Sequence, residues 1–251
     1  MVLTYCFSEC WSFAINQRIH CLEYSSMSYS QIEQLCMFPR GWKKFFLSNW
    51  ALIDDILSTL HKSPYKFAPD NQDIFRMLYE IHPRDIRVVI VGQSPYADGN
   101  ACGIPFVTKS GKPTKTLWNI SRELSRQYRY FDTKKNDINK TIMQWVDEGI
   151  FMLNMSFSIG IPLPGMSQHD EYVLNHDILW EEFVRNLVRY IAKKSRKKIP
   201  IILLGTAAWG LEDEIMASYT IIKAPFPTRD EFVGSGVFGK CDELVDGINW
   251  I

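Results

Sequence analysis

Four short loops in this 251-residue chain carry the side chains with the most chemistry to offer, and each follows a short apolar run. The first is Gly92-Gln93-Ser94-Pro95-Tyr96-Ala97, after Val88–Val91, and it leads into Gly103-Ile104-Pro105-Phe106. The second begins at Asn154, after Ile150–Leu153; the third at Gly205-Thr206, after Ile201–Leu204; the fourth is Ala224-Pro225-Phe226-Pro227-Thr228-Arg229, after Thr220–Ile222. An amide such as that of Asn154 supplies a donor and an acceptor together, although a strand-end Asn taken alone is equally a turn former. Gly205 offers backbone N–H groups of the kind that meet a phosphate, although such a glycine alone is a common turn. Lys109, Lys112 and Lys115 flank a proline between the first two loops and suit backbone phosphates, where three contacts would give weak, salt-sensitive binding. The run Lys193-Lys194-Ser195-Arg196-Lys197-Lys198 reads instead as a solvated helix end, because cations favour helix C-termini.

The elements that must position these loops are legible as a pattern. Between the four apolar runs lie helical stretches at 116–129, 139–148 and 178–194, and buried strands alternating with amphipathic helices argue for a parallel sheet with helices on both faces. Ligands in such sheets sit at the carboxyl ends of the strands, which is where all four loops fall. Upstream, Trp42, Phe45, Phe46, Trp50, Leu52 and Ile56 recur at helical spacing and predict a core helix over 41–60, and an acidic first turn predicts another over 70–80. Residues 1–40 are rich in Cys, Ser and Tyr without periodicity, so the chain divides into an N-terminal extension, 1–40, and a domain, 41–251.

Composition narrows the function classes. With 46% hydrophobic residues the chain can bury one sizeable core, and 28 basic against 28 acidic residues leave no global field to draw it onto nucleic acid, so any polyanion binding is local. No run of 18 apolar residues suggests a membrane span, and Met1–Cys6 lack the charged start of a signal peptide, so the expectation is an intracellular protein without a membrane partner. Of the six cysteines, Cys6, Cys10, Cys21 and Cys36 crowd the first 36 residues beside His20, but their spacing is poor for zinc; free thiols, with no metal and no cofactor, are expected, Cys102 and Cys241 included.

The loops resemble those of family 1 uracil-DNA glycosylases, and the chain reads as a divergent, viral-like member. The family's G-Q-D-P-Y-H resembles Gly92–Ala97, and the A-H-G-L-x-F after it resembles the stretch ending in Gly103–Phe106; its W-x-x-Q-G-V-L-L-L-N matches Trp145–Asn154; its S-L-x-N-I-x-x-E-L helix resembles Leu117–Leu124. Leu203–Ala208, Ser167-Gln168-His169, Trp180–Phe183, Phe232–Lys240 and Gly247–Trp250 echo further family motifs, so the likeness runs from about residue 85 to 251. It implies a mostly parallel four-stranded sheet flanked by helices. It also implies a base pocket in which Gln93 forms the floor, Tyr96 excludes a thymine methyl, Phe106 stacks on an extruded base and Asn154 reads its edge. The family's backbone contacts fall on Gly205, Thr206, Thr228 and Arg229, beside the lysine loop.

The motifs depart from the family at Ser94, at Ala97, which stands for a His, at Ala224, and at Thr228, which stands for the leucine that fills the vacated base stack; two of these bear on the chemistry. The Asp that steadies the sugar cation and orients water is Ser94, and the His that donates to the uracil oxygen is Ala224. Losing one such preorganised group costs about 3–4 kcal/mol, on the order of 10²–10³ in rate, and losing both reaches about 10⁴–10⁶, less where the groups act as a unit. Three readings follow. One is a catalytically silent glycosylase fold that binds DNA, RNA or a protein, such as replication machinery. Another is an active glycosylase with relocated groups, for which Asp98, Lys223 and Arg229 are the candidates. The last is an interaction scaffold whose groove is filled by Ile104, Pro105 or Phe226.

Overall fold

The computed structural model describes residues 38–166, 174–195 and 197–251. The extension to residue 37, with Cys6, Cys10, His20, Cys21 and Cys36, lies outside the described residues, as do Ser167-Gln168-His169 and Arg196.

Four strands form one all-parallel sheet: β2 (Val88–Gly92), β3 (Ile150–Asn154), β5 (Ile199–Leu204) and β6 (Tyr219–Ala224), in the order β3-β2-β5-β6. The two strands at its centre, β2 and β5, are buried at every residue, as the apolar runs Val88–Val91 and Ile201–Leu204 covered on both faces require. Phe151 turns to one face and meets the ring of Trp42 at 5.6 Å; Ile90 and Ile202 turn to the other, towards Ile120, Trp145 and Phe238. Register then does the positioning. Gly92 pairs with Asn154 and Leu204 with Ala224, so all four chemistry-bearing loops leave the same edge of the sheet.

Helices α4 (Lys115–Gln127), α5 (Ile138–Asp147) and α6 (Asp177–Lys194) occupy the three expected stretches, and the short α7 (Gly205–Trp209) and α9 (Val237–Asp242) complete the cover of the later strands. No helix among the described residues is long and apolar enough to cross a membrane.

Three expectations change in detail. The helix predicted over 41–60 is two, α1 (Lys43–Ser48) and α2 (Trp50–Lys62), broken where the Asn49 side chain donates to Phe45 O at 2.8 Å and accepts from Asn186 at 2.8 Å. Such local amide bonds compete with the helical ladder. The stretch 70–80 is a 3₁₀ turn, Asn71–Asp73, followed by α3 (Arg76–Glu80), because Phe75 leaves helical geometry to put its ring among Phe46, Phe157, Trp180 and Phe183. A two-stranded antiparallel pair, β1 (Phe67–Ala68) with β4 (Ile159–Gly160), has no counterpart in the sequence pattern.

Candidate active site

A cavity of about 250 Å³ opens at the carboxyl edge of the sheet, walled by Gln93, Ser94, Tyr96, Phe106, Asn154, Phe226 and Thr228 among others. Of the four strand-end loops, the first, second and fourth contribute to its wall, and the third, at Gly205-Thr206, does not.

Gly92 and Asn154 stand side by side in register, so closely that a Cβ on Gly92 would lie 2.4 Å from the Asn154 Oδ1 and 3.0 Å from the Phe106 ring. Only glycine lets that amide and ring come together over the strand end. Asn154 is 7% exposed, yet among the described residues its amide forms no hydrogen bond with the protein. Buried amides are normally paired, and this one faces the cavity instead.

Tyr96 and Phe106 are fixed by a directed relay. The Leu117 N–H donates to Thr114 Oγ1, the N-cap of α4, at 3.3 Å; the Thr114 hydroxyl lies 3.1 Å from the Tyr96 hydroxyl, which donates to Phe106 O at 3.1 Å. Phe106 is the one non-glycine residue with positive φ (69°) among the described residues, a strained backbone that persists because neighbours over-determine it. Burial pushes the Tyr96 phenol above its ordinary pKa, so it stays a neutral donor.

Helix α4 also pins the fourth loop. Asn119, 1% exposed, donates to Pro227 O at 2.8 Å and Arg229 O at 3.4 Å, while fully buried Glu123 accepts from Gly236 N at 2.7 Å and from Gly234 N. Gly205, at φ +82°, lies against that loop: a Cβ there would come within 2.9 Å of Phe226 Cβ. Ile104, Pro105 and Phe226 line the cavity and leave it open. Ala224 is 2% exposed at the end of β6, and Thr206, Thr228 and Arg229 are exposed on the rim.

The lysine loop carries less free charge than its sequence suggests. Lys109 pairs with Asp70 at 2.5 Å and Asp73 at 3.7 Å, and Lys115 pairs with Asp230 at 3.4 Å; Lys112 has no carboxylate partner among the described residues. Two of the three relocated-group candidates are committed elsewhere. Asp98 is exposed and accepts from Asn100 N at 2.9 Å and Asn100 Nδ2 at 2.8 Å, closing its own turn, and Lys223 is paired to Glu212.

One group was missed by sequence reasoning. Asp177, the first residue of α6, places Oδ1 3.5 Å from the Ser94 hydroxyl, and burial raises its carboxyl above the ordinary value. Beside it, His176 Nδ1 lies 2.8 Å from Ser158 Oγ, which also accepts from Trp180 Nε1 at 2.8 Å. All three groups are satisfied when Ser158 donates to Nδ1, leaving the proton of a neutral imidazole on Nε2. Burial lowers the His176 pKa in keeping with that state. No group of three or more His, Cys, Asp or Glu residues that could hold a metal occurs among the described residues, and Cys102 and Cys241 are buried free thiols.

A parallel sheet whose strand-end loops enclose a cavity with an open amide defines an α/β protein with a candidate ligand pocket where such sheets bind their ligands. The match to known proteins is specific. Residues 78–230 match the model of the uracil DNA glycosylase superfamily, and the chain belongs to that superfamily. Among relatives, the uracil-DNA glycosylase of Mycoplasmopsis pulmonis is 29% identical over 219 residues, covering 83% of this chain and 93% of that one. The uracil-DNA glycosylase of human cytomegalovirus (strain Merlin) is 29% identical over 184 residues, covering 71% of this chain and 69% of that one. The fold is shared with a mimivirus UNG variant crystallised in complex with UGI, at a TM-score of 0.68, 20% identity and 90% coverage of both chains.

Proposed function

We propose that this protein binds DNA with a uracil base turned out into the cavity, and that its excision of that base is slower by orders of magnitude than in members carrying an Asp and a His at positions 94 and 224. The observation that carries the reading is Asn154: a nearly buried amide, unpaired within the protein, on the wall of an open cavity between the Tyr96 and Phe106 rings. Its polar atoms reach the cavity, where a base edge offering one donor and one acceptor can bond both. The cavity is a bounded pocket of about 250 Å³, which supports a base ligand over a filled scaffold groove.

The weakness of the chemistry follows from what the site offers. Departure of the base puts positive charge on the sugar and negative charge on the base. Ser94 brings no charge to the first and Ala224 no donor to the second. Phosphate contacts fall to Lys112, the backbone at Gly205-Thr206 and the Thr228-Arg229 rim, so binding is modest and strongly weakened by salt.

The test is a titration of single-stranded oligonucleotides carrying 2′-fluoro-2′-deoxyuridine, which resists hydrolysis, against the thymine equivalent. Preference for the uracil strand, lost in Asn154→Ala and relaxed towards thymine in Tyr96→Ala, is the expected result. Equal binding of both strands by the natural chain, unchanged by either substitution, would overturn the reading.

A further inference from the structure

Ser94 stands on the cavity wall at the position where the resemblance puts the family's carboxylate, and directly behind it stands another carboxylate, from an element 83 residues away. We propose that Asp177, acting through the Ser94 hydroxyl, is the proton acceptor for the base excision this protein retains. The proposal rests on the reading that the cavity takes uracil.

The geometry assigns separate parts to the two residues. Ser94 borders the cavity and is the catalytic residue that meets water; Asp177 stands behind it as the positioning residue. The 3.5 Å between Oγ and Oδ1 is long for an O–H···O bond, as catalytic hydrogen bonds often are before substrate closes the site. In the step, the oxygen of a solvent water bonds to the sugar C1′ while the C1′–N1 bond breaks and its electron pair leaves with the base. The water proton passes to Ser94 Oγ as the serine proton passes to Asp177 Oδ1, and the departing uracil anion takes its proton from solvent. Atoms and charge balance without a metal or co-reactant. A serine hydroxyl alone is too weak a base for this; a carboxylate behind it makes the hydroxyl an acceptor.

The surroundings of Asp177 suit an acceptor. The polar groups on it among the described residues are Ser94, from the loop after β2, and Asn175, whose side chain accepts from the Asp177 N–H at 2.7 Å. The adjacent His176 is turned to Ser158, its pKa lowered by burial, and among the described residues no lysine or arginine acts on the carboxylate. Burial raises the Asp177 pKa above its ordinary value, against the opposing hydrogen bonds of Asn175 and Ser94, and so makes the carboxylate a better proton acceptor. Asp98, by contrast, lies exposed and bonded to Asn100.

The experiment is single-turnover release of uracil from a single-stranded oligonucleotide across pH 5 to 9, with binding of the 2′-fluoro strand measured on the same preparations. The variants are Asp177→Asn, Ser94→Ala and the pair together. The expected result is slow release by the natural chain, rising with pH through one ionisation. Asp177→Asn should lower it about 10–100-fold and flatten the pH profile, and Ser94→Ala should do the same. The double variant should lose no more than either single one, because the two act as a unit. Asp177→Glu, which keeps the charge, should restore part of the loss and the pH dependence. Release unchanged by Asp177→Asn, or no release by the natural chain above the uncatalysed rate, with 2′-fluoro binding intact, would overturn the Asp177 assignment alone. Loss of selective 2′-fluoro binding by the natural chain would overturn the base-pocket reading and this one with it.

Discussion

Putting the family's residues back is a sharper test than removing what is there, and the structure says it needs three substitutions. In Ser94→Asp with Ala224→His, a new carboxylate replaces a hydroxyl that lies 3.5 Å from Asp177 Oδ1. Two carboxylates about 4 Å apart in surroundings of effective dielectric constant about 20 repel by about 4 kcal/mol, a factor of about 10³. The pair would instead share a proton, so the restored Asp would be largely unusable near pH 7 and would titrate jointly with Asp177. Adding Asp177→Asn removes the competitor while keeping a polar side chain of the same shape. Single-turnover uracil release at pH 7.5 should therefore rise modestly in the double variant and a further 10²–10³-fold, roughly, in the triple one. The pH profile of the double variant should carry an ionisation well above the usual carboxylate range, absent from the triple. A triple variant no faster than the double, with both folded and binding the 2′-fluoro strand, would show that position 94 and Asp177 do not meet.

Four further outcomes follow from the packing. Asn119→Ala leaves Pro227 O and Arg229 O without their buried donor, and should cost about 1–3 kcal/mol in denaturant unfolding while weakening oligonucleotide binding from a distance. Gly205→Ala sets a side chain at φ +82° and 2.9 Å from Phe226 Cβ; about 1–3 kcal/mol of strain should appear as a lower Tm and a displaced fourth loop. His176 has a folded pKa below its ordinary 6.5, so the unfolded chain takes up the proton first and stability falls as pH drops below about 6.5; His176→Asn should flatten that slope of Tm against pH. Finally, Lys112→Ala should lower the salt slope of oligonucleotide binding by about one, whereas Lys109→Ala, whose cation is already paired with Asp70 and Asp73, should change it less.

What was legible in the sequence divides along a physical line. The parallel sheet could be read because fully buried strands are short apolar runs, and Val88–Val91, Ile150–Leu153 and Ile201–Leu204 carry that signal in β2, β3 and β5. The break at Asn49 and the two-residue pair β1–β4 could not, since single side-chain bonds and four-residue pairings leave no periodicity. The loops of the site were readable from residue order, because Gly92, Tyr96, Phe106 and Asn154 keep their spacing from the strand ends. The frame around them was hidden for a different reason. Asn119 and Glu123 look like ordinary polar positions of an amphipathic helix, yet they face inward and hold loops more than 100 residues away.

The same division governs the chemistry. A motif tells which group has gone from a position but not what the fold has moved beside it, because the replacement can arrive from any strand-end loop or helix start that the sheet brings to its carboxyl edge. Ser94 by itself reads as the loss of a charge. In the folded chain its neighbour is Asp177, which lies 83 residues on and beyond a stretch, 155–176, with little pattern of its own. Ala224 has no such neighbour: the nearby cation of Lys223 is paired with Glu212 over the Trp209 ring, and Ala224 itself is sealed at the end of β6. On the proposed reading the cation side keeps a carboxylate beside Ser94, while on the anion side Lys223 is taken up by Glu212. That asymmetry, on the same reading, makes the Ala224→His component the larger gain expected once Asp177 has been dealt with.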